Sequence, residues 1–216
     1  MAGWLQTLGA RTPEEAARRR FGLWSLVMFL LLLPPWWLWG ADLATAALRP
    51  LASMVFPIFG LSGEIITRAD GGWGVGTRLT SDGAPVVYEV AHTAIRRLLL
   101  GVPLAVAFLT APPRTDRPIR AALIAAAVLT ALFLLSLVCL IWGELAAQLN
   151  PELAPRSAGA LSSLDQPPLH PIAAQVVIVG RYIGMSVAPL IAAILLWAAL
   201  NPTGRSVVMA DDSLKD

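Results

Sequence analysis

Cys139, Arg181 and a histidine, His92 or His170, are the residues of this chain whose types could together do covalent chemistry. A thiolate beside an arginine, with an imidazole as base, is the set a cysteine transpeptidase uses. The surroundings argue against it. Leu137-Val138-Cys139-Leu140-Ile141 reads as plain apolar helix, with no nucleophile motif around the sulfur, and a thiol buried there is inert. A single cysteine also excludes an intrachain disulfide and a cysteine zinc site. Two histidines cannot saturate a metal site without carboxylates. Gly-Gly-Trp-Gly-Val-Gly at 71–76 has the glycine density of a phosphate-binding loop, but no helix follows it. Phosphate-loop, dinucleotide, His-Glu-x-x-His and nucleophile-elbow patterns do not occur. No catalytic residue, cofactor or metal is therefore assigned, and the expected protein is not an enzyme.

Arg181 is the one charge inside a long apolar stretch. An ionisable group at membrane depth is costly and needs a partner. Glu144 lies at the end of the preceding apolar run, on the same expected side, and is the expected partner; Gln148, Gln175 and Glu89 are further candidates. If the crossing part is only 182–200, Arg181 sits at headgroup level beside Tyr182. Trp73, among the glycines at 71, 72, 74 and 76, is expected on a mobile tip, as a docking finger or a membrane anchor. Arg181, Glu144, Trp73 and Glu89 are thus the candidate structural or interaction residues.

The elements that must position these groups follow from composition. Of 216 residues, 56% are hydrophobic and 14% charged, with a mean hydropathy of +0.67. A soluble domain carries roughly 25% charge. Apolar residues here gather into long runs, which marks a chain partly solvated by lipid. A formal charge of +2 is too small to imply nucleic-acid binding. Arginine supplies all the basic residues but Lys215; with so much Ala and Pro, that suits a GC-rich bacterial genome.

Four crossings are read at 21–40, 98–111, 121–143 and 172–200. The first is longer than a signal-peptide core of about 7 to 15 residues and ends in Pro34-Pro35, then Trp36, Trp37 and Trp39, an interfacial aromatic belt. The second is short unless Ile95 joins it and Arg96 and Arg97 snorkel. Arg11, Arg18, Arg19 and Arg20, then Arg114, Arg117 and Arg120, then Arg205 and Lys215 fall on one side. The positive-inside rule makes that side cytoplasmic, so 1–20, 112–120 and 201–216 are expected inside an inner membrane, with both termini cytoplasmic. Arg96 and Arg97 are discordant.

Residues 41–97 and 144–171 are then outside. In the first, Leu43, Ala47, Leu51 and Val55 recur at helical spacing, with Asp42 as a cap, Pro50 as a kink and Pro57 as a stop. This suits an amphipathic helix lying against the crossings. From Ser62 to Val90 the period changes to two, with turns at Asp70-Gly71-Gly72 and Ser81-Asp82-Gly83, which predicts a three-stranded antiparallel meander. It is too small to bury its own core. Residues 144–171, rich in Pro and Ser, read as loop. The expected fold is mainly α: a four-span transmembrane helical bundle with an outer amphipathic helix and a small antiparallel β-meander.

The order of these features resembles the bacterial exosortase H-associated membrane proteins. The resemblance rests on an arginine-flanked first span ending Pro-Pro-Trp-Trp, an outer helix then hairpin, and Val87-Tyr88-Glu89-Val90 leading into a short second span. The third span ends Ile141-Trp142-Gly143-Glu144 and the last Leu196-Trp197-Ala198-Ala199-Leu200-Asn201. It implies an accessory membrane protein of a sorting system, in which an exosortase cleaves C-terminal anchors from exported proteins. The partner it implies is an exosortase or its sorted substrate. The Ala-Cys-Ser-Gly-type segment of exosortases is missing, so the resemblance is to the companion. The rival class is the cysteine enzyme built on Cys139, Arg181 and a histidine. A transporter is disfavoured by the few polar residues in the spans. Arg96-Arg97 and the acidic tail after Asn201 depart from the pattern.

Overall fold

A computed structural model describes residues 13–81, 83–150, 152–153 and 167–208. The fold is mainly helical. Three helices are long and apolar enough to cross a membrane, or four if a bent pair crosses as one, and a three-stranded antiparallel sheet accompanies them. The chain divides into two compact units, Met1–Trp37 with Gly101–Leu129 and Leu190–Asp216, and Leu38–Leu100 with Thr130–Pro189.

In the first unit, helix α1 (Pro13–Pro35) packs against α4 (Gly101–Thr110) and α8 (Pro202–Val208). Phe21, Phe108 and Trp197 form its aromatic core, with the Phe21 and Trp197 ring centroids 4.6 Å apart. Around them α1 presents Leu23, Leu26, Val27, Leu30 and Leu31 outward, the surface a lipid-facing helix needs. The turn after α4 is clamped from the end of α7 (Ala188–Leu200). Asn201, 1% exposed, donates to the carbonyl of Pro113 and accepts from the Gly204 amide. Thr115 donates to the Leu200 carbonyl.

The first apolar run does not leave its helix at residue 40. Pro34 and Pro35 have no amide hydrogen to donate to the preceding turn. The next five residues, Trp36–Gly40, take π-helical pitch, and α2 (Ala41–Val55) continues from them. The helical path from Glu15 to Phe59 has 45 residues, more than the roughly 20 that one crossing needs. Pro50 is inside α2, and a 3-10 turn, Phe56–Phe59, ends at Gly60 with φ +77°.

In the second unit the sheet order is β1 (Leu61–Thr67), β2 (Trp73–Ser81), β3 (Ala84–Val90). The meander expected from the period-two pattern is present; Asp82 lies outside the described residues. Ile65, Val75 and Tyr88 sit opposite one another, as do Ile66, Gly74 and Glu89. Opposed residues share a face, so Leu61, Ile65, Trp73, Val75, Leu79 and Val90 form the buried one. Helix α3 (His92–Leu98) adds Ile95 and Leu98, and α5 (Pro118–Leu149) adds Phe133, Leu137, Ile141 and Leu145.

The last apolar run is divided. Helix α6 (Pro171–Ser186) ends at Val187, and α7 leaves it bent by 68°. Pro189 has no amide hydrogen for the carbonyl of Met185, and its ring crowds that turn. Residues 172–200, expected as one helix, are therefore two. Much of the loop before α6 lies outside the described residues, but its ends are joined: the Asn150 amide donates to the Leu169 carbonyl and accepts from the Leu169 amide.

Candidate functional site

In the second unit, the part of α5 from Thr130 onward and α6 meet along a seam of small residues. A Cβ placed on Gly180 would lie 2.8 Å from the Cys139 sulfur, one on Gly184 2.9 Å from Ser136, and one on Gly143 2.7 Å from the Val177 carbonyl. Small residues four apart let helix backbones approach in this way within a membrane. The signal for this seam, Gly180-Arg-Tyr-Ile-Gly184, stands in the sequence as two glycines four apart.

This close approach brings Arg181 to Glu144 as an ion pair, each side chain 26% exposed. The guanidinium also lies 5.7 Å from the centre of the Tyr182 ring, within cation–π range. Tyr88 reaches the pair from the inner face of β3. Burial pushes the Tyr88 hydroxyl above its usual pKa, the Glu144 carboxylate adds to the shift, and Arg181 opposes it. The phenol is thus neutral at physiological pH. Of the other candidate partners of Arg181, Gln175 is exposed. Gln148 has a buried carbonyl oxygen with no partner among the described residues. Glu89 belongs to the opposite face of β3 and pairs with Arg68 of the first hairpin, both largely exposed. Such a pair is worth about 0 to 1 kcal/mol.

Trp73 is not displayed on a glycine tip. It is the first residue of β2, 1% exposed, edge-on to Phe133 at 6.3 Å and 85°. The turn ends at Gly72, where Asp70 accepts from the Gly72 amide and Gly71 takes φ +82°. Gly74 and Gly76 alternate with buried residues, and a Cβ on Gly76 would lie 2.9 Å from Ser62. These two glycines make room for a neighbouring strand.

The prospective partners of Cys139 are bonded elsewhere. His92 meets Asp42 at 2.7 Å. His170 caps α6 through its Ile172 contact. Arg181 is held by Glu144. Among the described residues no group of three His, Cys, Asp or Glu could hold a metal ion. Asp42 also accepts three hydrogen bonds from Arg96, at 2.8 to 3.2 Å. Arg96 therefore ties α3 to the start of α2, a long-range role that explains its place outside the arginine-rich end. The Trp142 indole donates to the Phe59 carbonyl at 2.8 Å and holds the end of the 3-10 turn against α5. The arrangement can brace helices and a sheet.

A family profile described as exosortase H-associated membrane protein matches residues 15–204. No curated protein and no solved structure matches the chain.

Proposed function

Since the chain belongs to the exosortase H-associated membrane protein family, we propose that it serves a bacterial sorting system as a non-enzymatic accessory subunit, binding an exosortase or its substrate tail. The observation that carries this reading is the use made of the reactive groups. Cys139 fills a helix seam, both histidines are engaged by local contacts, and Arg181 is neutralised by Glu144. What is left open is surface. Leu43, Leu51, Met54 and Ile58 of the second unit, and Ile66 and Val87 of the sheet, stay exposed, and the outer segment 41–97 is the part proposed to meet the partner.

Deleting the gene should cause sorted proteins to accumulate with their C-terminal anchors uncleaved, and the wild-type gene and Cys139→Ser should restore cleavage equally. Normal cleavage in the deletion strain would remove the accessory role. Failure of a well-expressed Cys139→Ser to restore it would favour the cysteine enzyme.

The proposed topology puts both termini and the arginine-rich turn 112–120 in the cytoplasm of an inner-membrane protein, with 41–97 outside. Alkaline phosphatase fused after Gly83 should be active, and fused after Pro118 inactive. The reverse would invert the orientation, and equal activity at both would remove the crossing between them.

A further inference from the structure

The first unit contains a cavity of about 310 Å3, lined by the polar residues Thr115, Asp116, Arg117 and Arg120 and by the apolar Ala121, Ile124, Ala199, Leu200 and Pro202. We infer that it binds the phosphodiester headgroup of an anionic phospholipid, with the two arginines on the phosphate and the apolar wall against the start of an acyl chain. Arg117 immediately precedes α5 and Arg120 lies in its first turn, and both line the cavity. Neither makes an ion pair among the described residues, and both are exposed. The first turn of α5 carries no acidic residue, so its partial positive charge adds to theirs.

The cavity also lies where apolar helix gives way to polar turn. Ile119 and Leu123 beside it are 78% and 67% exposed, apolar surface that suits hydrocarbon next to arginines that suit headgroups. Basic pockets at such a boundary suit anionic lipid headgroups. Its volume falls at the small end of ligand sites, about 300 to 1,000 Å3. Charge separates the two sources of phosphate. Two arginines against Asp116 leave the lining net positive by one, which matches the single charge of a phosphodiester. Phosphate with a free second ionisation carries about −1.5 to −2 at neutral pH and would be repelled by Asp116 without gaining the apolar wall. On the topology proposed above, the lipid is in the cytoplasmic leaflet.

The test uses the whole protein in a maltoside detergent, titrated with dioctanoyl phosphatidylglycerol, dioctanoyl phosphatidylcholine or inorganic phosphate while its unfolding midpoint is read. Phosphatidylglycerol should raise the midpoint saturably and the other two should not. An arginine near an anionic surface is worth about a fivefold factor in affinity. Arg117→Gln with Arg120→Gln should therefore weaken the effect about 25-fold, whereas Arg114→Gln, outside the lining, should change it less than about twofold. Native mass spectrometry of the wild type should show phosphatidylglycerol retained in preference to phosphatidylcholine, independently of how the variants fold. The inference is overturned by no shift, by an equal shift with phosphatidylcholine, or by a shift unaltered in the double variant or lost equally in Arg114→Gln. An equal shift with inorganic phosphate would assign the site to the free ion and overturn the lipid.

Discussion

Arg181→Ala should sharply lower the amount of folded protein recovered from membranes, and Arg181→Ala with Glu144→Ala should recover part of it. Removing one partner of a fully buried pair costs about 3 to 5 kcal/mol, because the other charge is left uncompensated; an exposed pair is worth about 0 to 1 kcal/mol. Each side chain here is 26% exposed, so a loss of about 3 kcal/mol is expected for either single variant. Glu144→Gln, which keeps the shape and removes the charge, should behave like Glu144→Ala. Unfolding midpoints of the four proteins in detergent supply the double-mutant cycle. Silent single variants would mean that Arg181 reaches solvent without needing Glu144.

The second large effect is expected at the helix seam. Gly184→Leu drives a side chain into Ser136, whose Cβ and Oγ already lie 2.9 Å from where the new Cβ must stand. Overpacking costs about 1 to 3 kcal/mol, occasionally more, and this site has rigid helix on both sides. Gly184→Leu should abolish monodisperse protein. Gly184→Ala should be milder, and Ser136→Gly, which removes the obstructing atoms, should partly restore it. Full tolerance of Gly184→Leu would show that α5 and α6 separate easily and that the seam does not position Arg181.

Both effects bear on how much of the molecule its sequence discloses. The apolar runs and the three strands were legible because lipid crossing and strand pairing leave direct periodic signatures. The candidate partners of Arg181 are few because both ends of the pair lie where an apolar run meets its flank. Glycine density around Trp73 suggests a mobile tip. The alternation Trp73, Val75, Thr77, Leu79 already put it on the buried face, and Gly74 and Gly76 yield space to a neighbouring strand. The division at Val187 hangs on Pro189, a local signal inside a run whose length invited a single helix. The bond from Asp42 to Arg96 spans 54 residues, and nothing local announces it; Arg96 looked discordant because a charge-count rule cannot see a long-range partner. The continuation of α1 into α2 through a π-helical turn is also hidden, since paired prolines more often end a helix.

The proposed association with an exosortase or its substrate tail can be measured directly. The most direct measurement is affinity purification of the tagged, full-length protein from solubilised membranes of its own bacterium, with the exosortase quantified in the eluate. The exosortase or its uncleaved substrate should co-purify at near-equimolar yield, and an outer-surface change such as Leu43→Glu with Met54→Glu should lower that yield while the protein stays folded. Recovery of folded, functional protein with neither exosortase nor substrate, under conditions that preserve other membrane complexes, would contradict it.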